Sequence, residues 1–244
     1  MKYAILGDIH ANLEALKAVI HDATQQQVDR YACTGDLVGY NADPHACLRL
    51  LRNKNPIVVQ GNHDYYATHD LAMDLFASSA RKSILWTRKH LSISDRKYLK
   101  NLPLLADTEH FTLVHSSLFD PSCWEYVSSI LAVHNHFLNQ FTPLCFIGHT
   151  HIPAAFLNHE TIQKISFSTD QPSFQLQPKV QYLINVGSVG QPRDKNPQAA
   201  YVIYDSSAQT ICLRRVEYDL ATTQKKIRSA GLPFQNALRL STGK

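Results

Sequence analysis

Pro56-Ile57-Val58-Val59-Gln60-Gly61-Asn62-His63-Asp64 passes from an apolar, β-branched run into consecutive polar side chains across a single glycine. The run reads as a buried strand and Gly61 as the bend that ends it. In open α/β sheets, ligands bind just beyond the carboxyl ends of strands. Asn62 offers a neutral oxygen ligand, His63 a proton donor, and Asp64 a group to orient that histidine. Four other stretches repeat the design. Tyr3–Leu6 leads into Gly7-Asp8-Ile9-His10, and Tyr31–Thr34 into Gly35-Asp36. Phe111–Val114 leads into His115-Ser116-Ser117, and Leu144–Ile147 into Gly148-His149-Thr150-His151.

Between these strands the periodicity is helical. Leu13, Leu16, Val19, Ile20 and Ala23 follow Asn12 at helical spacing, and Asp43-Pro44 reads as an N-cap and N1 proline for a helix through Leu51. A helical pattern from Asp70 to His90 includes Leu75, Phe76 and Trp86, and Ser94-Asp95 reads as the cap of a short helix to Leu99. Early strands alternating with helices predict parallel βαβ units. After Pro153 the pattern changes to an antiparallel meander, with strands at 154–157, 162–167, 179–184, 200–204 and 211–216. A last helix is expected over about 220–230, and the tail 234–244 is weakly specified. No repeat or linker divides the chain, so residues 1–244 are expected to form one domain.

The 244 residues carry 24 Lys+Arg against 20 Asp+Glu, a mild positive balance compatible with an anionic substrate. Thirteen histidines are a richer signal, since His is the commonest metal ligand. Cys33, Cys47, Cys123, Cys145 and Cys212 are odd in number and include no C-x-x-C pair, which argues against a disulfide framework and a thiolate zinc site. A reducing, cytoplasmic compartment is expected. The segment before Gly7-Asp8 is too short for a signal peptide, and no apolar run approaches the roughly 20 residues of a membrane helix.

Two carboxylates, one amide oxygen and four imidazoles suit two divalent ions. Asp8 and His10, two apart on an extended segment, would point the same way, and Asp36 could bridge. Mixed oxygen and nitrogen ligands favour Mn2+, Fe, Co2+, Ni2+ or Zn2+ over Ca2+. Two ions roughly 3.5–4 Å apart can hold phosphate oxygens and a bridging hydroxide.

Asp8-x-His10, Gly35-Asp36, Gly61-Asn62-His63-Asp64, His115 and Gly148-His149-x-His151 resemble, in order, the five signature blocks of the calcineurin-like metallophosphoesterases. Asn185-Val186-Gly187-Ser188-Val189-Gly190-Gln191-Pro192-Arg193 is similar to the small prokaryotic branch described as diadenosine tetraphosphatase-like or protein-phosphatase-like. The resemblance implies a four-layer α/β/β/α sandwich, with two mixed β-sheets packed face to face and helices outside. It implies a metal-dependent phosphoric ester hydrolase using direct attack by a metal-bridging hydroxide, with Mn2+ the first choice among the ions. Asp8, His10, Asp36 and His151 would hold the first ion, and Asp36, Asn62, His115 and His149 the second. His63 would protonate the leaving oxygen, with Asp64 orienting and charging it.

Protein phosphatases and symmetric dinucleoside tetraphosphatases read G-D-x-x-D-R-G in the second block; this chain reads Gly35-Asp36-Leu37-Val38-Gly39-Tyr40-Asn41. The phosphate-clamping arginine is absent there, and Arg193 is a candidate replacement, against the plainer reading of a solvated turn. Asp120–Tyr126, with Trp124, reads equally as a substrate loop or a pinned surface loop. A small phosphorylated or nucleotide substrate is expected as the partner, and a homo-oligomer is compatible. The alternatives are a non-catalytic scaffold of the same fold, or a nuclease. The latter needs a basic groove, whereas Arg214-Arg215 and Lys225-Lys226 read as solvated faces.

Overall fold

The computed structural model describes residues 1–74, 76–167 and 172–244. Its elements in chain order are β1 (Lys2–Leu6), α1 (Leu13–Gln25), β2 (Arg30–Cys33), α2 (Pro44–Arg52), β3 (Ile57–Val58), α3 (Asn62–Thr68), α4 (Ser78–His90), α5 (Ile93–Lys100), β4 (Leu105–Asp107) and β5 (Thr112–Val114). A 3₁₀ turn, Pro121–Cys123, is followed by α6 (Ile130–Leu138), β6 (Leu144–Ile147), β7 (Ala154–Asn158), β8 (Ile162–Ile165), β9 (Ser173–Gln175), β10 (Gln181–Asn185), β11 (Ala199–Asp205), β12 (Thr210–Val216), α7 (Leu220–Ser229) and α8 (Phe234–Thr242).

The strands form two six-stranded mixed sheets, ordered β3-β2-β1-β11-β12-β9 and β4-β5-β6-β10-β7-β8. In the first, β1, β2 and β3 are parallel and β11 and β12 antiparallel. In the second, β5, β6 and β10 are parallel while β4, β7 and β8 run against their neighbours. Alternation along each strand divides the core into layers. Tyr3 and Ile5 of β1 meet Leu113, Phe146 and Ile184 of the other sheet in the central layer. Ala4 and Leu6 face outward onto Leu16, Val19 and Leu48 of α1 and α2. Cys145, Ile147 and Leu183 are covered by Val133 and Phe137 of α6. This is the four-layer α/β sandwich.

Several local expectations are corrected. Helix α4 starts at Ser78 rather than Asp70, after an irregular stretch in which Leu75 lies outside the described residues. The α5 cap is Ser92, not Ser94: Ser92 Oγ accepts from the Asp95 amide at 3.1 Å, and Asp95 Oδ2 accepts from the Ser92 amide at 3.2 Å. Asp43 occupies the N-cap position of α2 without capping it; its carboxylate instead pairs with Lys226 Nζ at 2.8 Å. The tail contains α8, and β4, β9 and α6 also went unforeseen. All are short, and α6 (Ile-Leu-Ala-Val-His-Asn-His-Phe-Leu) is too uniformly apolar to show a face. Among the described residues, no helix is long and apolar enough to cross a membrane.

One polar contact ties helix to sheet. Asp22 of α1 accepts from Arg214 Nη2 (2.7 Å), Arg214 Nε (3.0 Å) and Tyr201 Oη (2.6 Å). Burial pushes this carboxyl up, but the bonds from Arg214 and Tyr201 outweigh it and hold Asp22 below the usual carboxylate range. A depressed folded pKa contributes stability above the unfolded value, and that contribution is lost as pH falls through the folded one. Asp22→Asn should therefore cost about 1.5–3 kcal/mol in urea unfolding at neutral pH, with the deficit shrinking as the pH is lowered through the carboxylate range. Equal stability of variant and parent at pH 7 would contradict this.

Candidate metal centre

The strand-end loops meet along one edge of the sandwich. Asp8, His10, Asp36, Asn62, His115, His149 and His151 are all buried there. They do not converge by extended geometry. Asp8 (φ 50°), His10 (φ 47°), Asp36 (φ 53°), His149 (φ 68°) and His151 (φ 60°) are all left-handed, so each chain turns sharply just past its strand. This replaces the extended Asp8-x-His10 expected from spacing.

Ligand atoms of Asp8, His10, Asp36 and His151 cluster within 4.8 Å of one another, as do those of Asp36, His115 and His149. Asp36 belongs to both groups. Its Oδ2 is 3.5 Å from His10 Nε2 and 3.5 Å from His115 Nε2, while its Oδ1 accepts from the His63 amide at 2.8 Å. Asn62 Oδ1 lies 3.1 Å from His115 Nε2, adding an amide oxygen to the second group.

Each imidazole is held through its other nitrogen by a main-chain carbonyl. His10 Nδ1 meets Val38 O at 2.9 Å, His115 Nδ1 meets Thr34 O at 2.8 Å, His151 Nδ1 meets Gln191 O at 2.6 Å, and His149 Nε2 meets Trp124 O at 2.8 Å. Burial lowers the pKa of all four, holding the rings neutral with one proton each. A carbonyl can only accept, so that proton sits on the carbonyl side. The inward nitrogens are then lone pairs. Yet His10 Nε2 is 3.1 Å from His151 Nε2, and His115 Nε2 is 3.0 Å from His149 Nδ1. Facing lone pairs repel unless a cation lies between them. Burial also raises both carboxylates, Asp8 to about 6 and Asp36 well above its ordinary value, and a bound cation reverses that. The donor set therefore fits divalent metals.

His63 lies beside this centre, its ring centroid 4.7 Å from that of His10. Its Nδ1 is buried and has no hydrogen-bond partner among the described residues. Asp64 does not orient it. Asp64 Oδ1 accepts from the Leu37 and Val38 amides (2.9 and 3.2 Å), and Oδ2 from the Gly61 amide (3.1 Å). The reason is helical: residues 63 and 64 open α3, their side chains diverge by roughly 100°, and Asp64 turns back to the helix start. It positions the 37–38 loop, whose Val38 carbonyl holds His10.

The site also includes Tyr40, which the sequence did not single out, together with Arg193 and the 120–126 loop. Tyr40 packs against His10 (4.6 Å between centroids) and His63 (4.5 Å). Arg193 Nη2 donates to Tyr40 Oη at 3.2 Å and to Gln191 Oε1 at 3.0 Å. Arg193 is thus one ring away from His63, rather than on a free turn. The 120–126 loop closes the other side: Trp124 supplies the carbonyl to His149, and Tyr126 stacks on the His149 ring at 4.0 Å. Tyr40, Asn62, His63, Tyr66, Phe76, Trp124, Tyr126 and His149 are among the residues around a cavity of about 300 Å³. Main-chain carbonyls leave no mark in a sequence, and isolated aromatics in loops read equally well as packing.

The 185–194 segment threads beneath the Asp8 loop. The Gly190 amide donates to Asp8 O at 2.9 Å and Ser188 Oγ to the same oxygen at 2.8 Å. A Cβ on Gly190 would fall 1.9 Å from Ile9 O. Gly190→Ala should destabilise by about 1–3 kcal/mol and weaken divalent-ion binding, read as a smaller rise in melting temperature on adding Mn2+. An undiminished rise would contradict this.

Comparison with known proteins agrees with the geometry. A family model described as calcineurin-like phosphoesterase superfamily domain matches residues 1–209. The chain is 36% identical to an uncharacterized protein of Methanocaldococcus jannaschii, covering 99% of this chain and 98% of that one. A metallophosphoesterase structure from Sphaerobacter thermophilus superposes with a TM-score of 0.88 at 37% identity, covering 100% of this chain and 99% of the other. A hypothetical protein from Pyrococcus horikoshii shares the fold, with a TM-score of 0.80 at 17% identity over 100% and 98% of the two chains. With the family's five signature blocks gathered around one buried Asp/His cluster, this chain belongs to the calcineurin-like phosphoesterase superfamily.

Proposed function

We propose that this protein is a dinuclear phosphodiesterase acting on a small nucleotide-type ester, with Mn2+ as the preferred ion and Fe, Zn2+, Ni2+ or Co2+ as alternatives. The observation that carries this reading is the pair of inward nitrogen contacts, 3.1 and 3.0 Å, on either side of Asp36. Each asks for its own cation, and Asp36, which lies 3.5 Å from both His10 Nε2 and His115 Nε2, would serve both sites. Asp8, His10, Asp36 and His151 would hold one ion, and Asp36, Asn62, His115 and His149 the other. Two such ions neutralise phosphoryl oxygens and supply a hydroxide nucleophile.

The remaining roles fall to side chains. His63, at the cavity wall, donates a proton to the departing oxygen. Arg193, steadied on Tyr40, and Asn62 orient the phosphate. The walls of the adjoining cavity are aromatic and suit a flat apolar group such as a nucleobase. The basic doublets lend a nuclease little support, because much of their charge is already paired: Arg214 with Asp22, Arg215 with Asp194, Lys226 with Glu14 and Asp43. The partner is then a small phosphorylated molecule, whether the protein acts alone or as a homo-oligomer. Free cysteines throughout the described structure accord with a cytoplasmic setting.

The test is hydrolysis of bis(p-nitrophenyl) phosphate by protein stripped of metal and then given Mn2+. Manganese-dependent release of nitrophenol is expected. His63→Ala should retain two Mn2+ per chain by elemental analysis yet lose about 10²–10⁴-fold in turnover of esters with poor leaving groups. Parent-level turnover of those esters by His63→Ala removes His63 from the mechanism. No release from protein carrying two ions favours the scaffold alternative.

A further inference from the structure

The hydroxyl of Tyr40 carries a proton that no described residue accepts. Arg193 Nη2 donates to Tyr40 Oη at 3.2 Å. A guanidinium can only donate, so the phenol oxygen is the acceptor in that bond. Its own proton is left uncommitted, with no acceptor in hydrogen-bond reach among the described residues. Tyr40 is only 7% exposed. Burial pushes the phenol up, so the proton stays on the oxygen at neutral pH. A buried donor without an acceptor is a standing penalty, and Tyr40 is one of the side chains that line the cavity beside His63.

The backbone is bent to bring this ring to the site. Gly39 (φ 94°) and Tyr40 (φ 54°) are both left-handed, a conformation that a bulky residue keeps only under constraint. Asn236 Nδ2 donates to Tyr40 O at 3.0 Å, and the Asn41 amide to Gly39 O at 2.6 Å. A Cβ on Gly39 would fall 2.3 Å from His63 Nδ1, so glycine lets the loop approach this closely. The Tyr40 ring then stands 4.6 Å from His10, 4.5 Å from His63 and 6.4 Å from His151, centroid to centroid. His10 and His151 belong to one ligand group, and His63 flanks it.

Arg193 sits behind the phenol. Its Cζ is 5.6 Å from the ring centroid, its Nη2 serves Tyr40 Oη and Gln191 Oε1, and the described residues lining the cavity do not include it. Donation from a cation polarises the phenol O–H and strengthens the bond it makes in turn. An anionic oxygen is the acceptor best suited to such a donor, and beside two ligand groups for cations that oxygen belongs to a phosphate. We propose that the Tyr40 hydroxyl donates directly to a non-bridging oxygen of the phosphate being cleaved, and that Arg193 acts on that oxygen through the phenol. The inference rests on the phosphodiesterase reading above and adds a substrate-binding residue to it.

The experiment is calorimetric binding of orthophosphate to the Mn2+-loaded protein, with no turnover involved. Tyr40→Phe keeps the ring that packs on His10 and His63, and it should match the parent in manganese content and closely in melting temperature. Its affinity for orthophosphate should fall by about 10- to 100-fold. Arg193→Met should cost less than Tyr40→Phe, and almost nothing when added to it. Tyr40→Phe added to Arg193→Met should still cost at least about threefold, because the phenol touches the phosphate itself. Parent-level affinity in Tyr40→Phe overturns the contact, as does the absence of orthophosphate binding by the loaded parent. So does a Tyr40→Phe change that costs nothing in the Arg193→Met background, the mark of a ring that only steadies the arginine. An Arg193→Met loss of equal size in both backgrounds overturns the relay, since the guanidinium then reaches phosphate on its own. Hydrolysis of bis(p-nitrophenyl) phosphate separates the two readings. If the expected losses are seen in a protein that hydrolyses no ester, the contact stands and the hydrolase reading fails. If esters are hydrolysed while Tyr40→Phe binds as the parent does, only the contact fails.

Discussion

Four neutral imidazoles each donate their only proton to a main-chain carbonyl and turn a lone pair inward. The carbonyls belong to Thr34 and Val38 in the loop after β2, to Trp124 and to Gln191, on three separate segments of the chain. Ring tautomer and ring direction are therefore set by the path of the backbone, as outer partners of metal-binding histidines commonly do. Loss of any one carbonyl would free a ring to flip and present N–H to the centre. Affinity for cations is for this reason a property of the loop assembly, beyond the seven side chains that face inward.

That assembly is held at a local cost. Five of the inward-facing residues adopt left-handed backbone angles, a conformation that costs a non-glycine residue about 1–2 kcal/mol. Such strain persists where surrounding bonds over-determine it. Here the 185–194 segment does so from below. Asn12 Nδ2 donates to Gly190 O at 3.0 Å, Asn41 Nδ2 donates to His10 O at 2.7 Å, and the Gly190 amide and Ser188 hydroxyl both reach Asp8 O. Asp64 performs a similar service for the 37–38 loop. The sharp turns aim side chains from non-adjacent strands at one point, which straight strand ends could not do.

What the sequence made legible follows from this division of labour. Asp8, Asp36, Asn62 and His149 directly follow glycines at strand ends, and His10, His115 and His151 stand within four residues of a strand end; a polar side chain stepping out of an apolar run is visible in one dimension. The sheets were legible for the same reason, since β1, β6, β10 and β11 are continuous apolar runs. Asp64 was misjudged because adjacency to His63 in sequence becomes divergence once both enter a helix. Tyr40, Trp124 and Tyr126 act by ring packing or through a carbonyl, neither of which has a spacing. Helix α8 was hidden because its buried residues, Asn236, Ala237 and Leu240, are too few and too mixed to show a period. Its position depends on contacts more than 190 residues away in sequence, such as that of Asn236 with Tyr40.

The arginine missing from the second block shows how the parts recombine. In this chain that block ends in Gly39-Tyr40, and the guanidinium arrives from the opposite end of the sequence and rests on the tyrosine. An aromatic ring thus stands where the family's second block has a charge, and a guanidinium from a distant part of the chain rests on that ring. Tyr40 and the segment carrying Arg193 are also tied to α8 or its end: Asn236 Nδ2 donates to Tyr40 O, and the Lys195 amide donates to Gly243 O. The strand-end ligands hold the chemistry close to the rigid sheets. Besides His149, the cavity walls come from the loop after β2, α3, the stretch before α4 and its first turn, and the 120–126 loop, none of which contributes a central strand. Those pieces can change without disturbing the sheets.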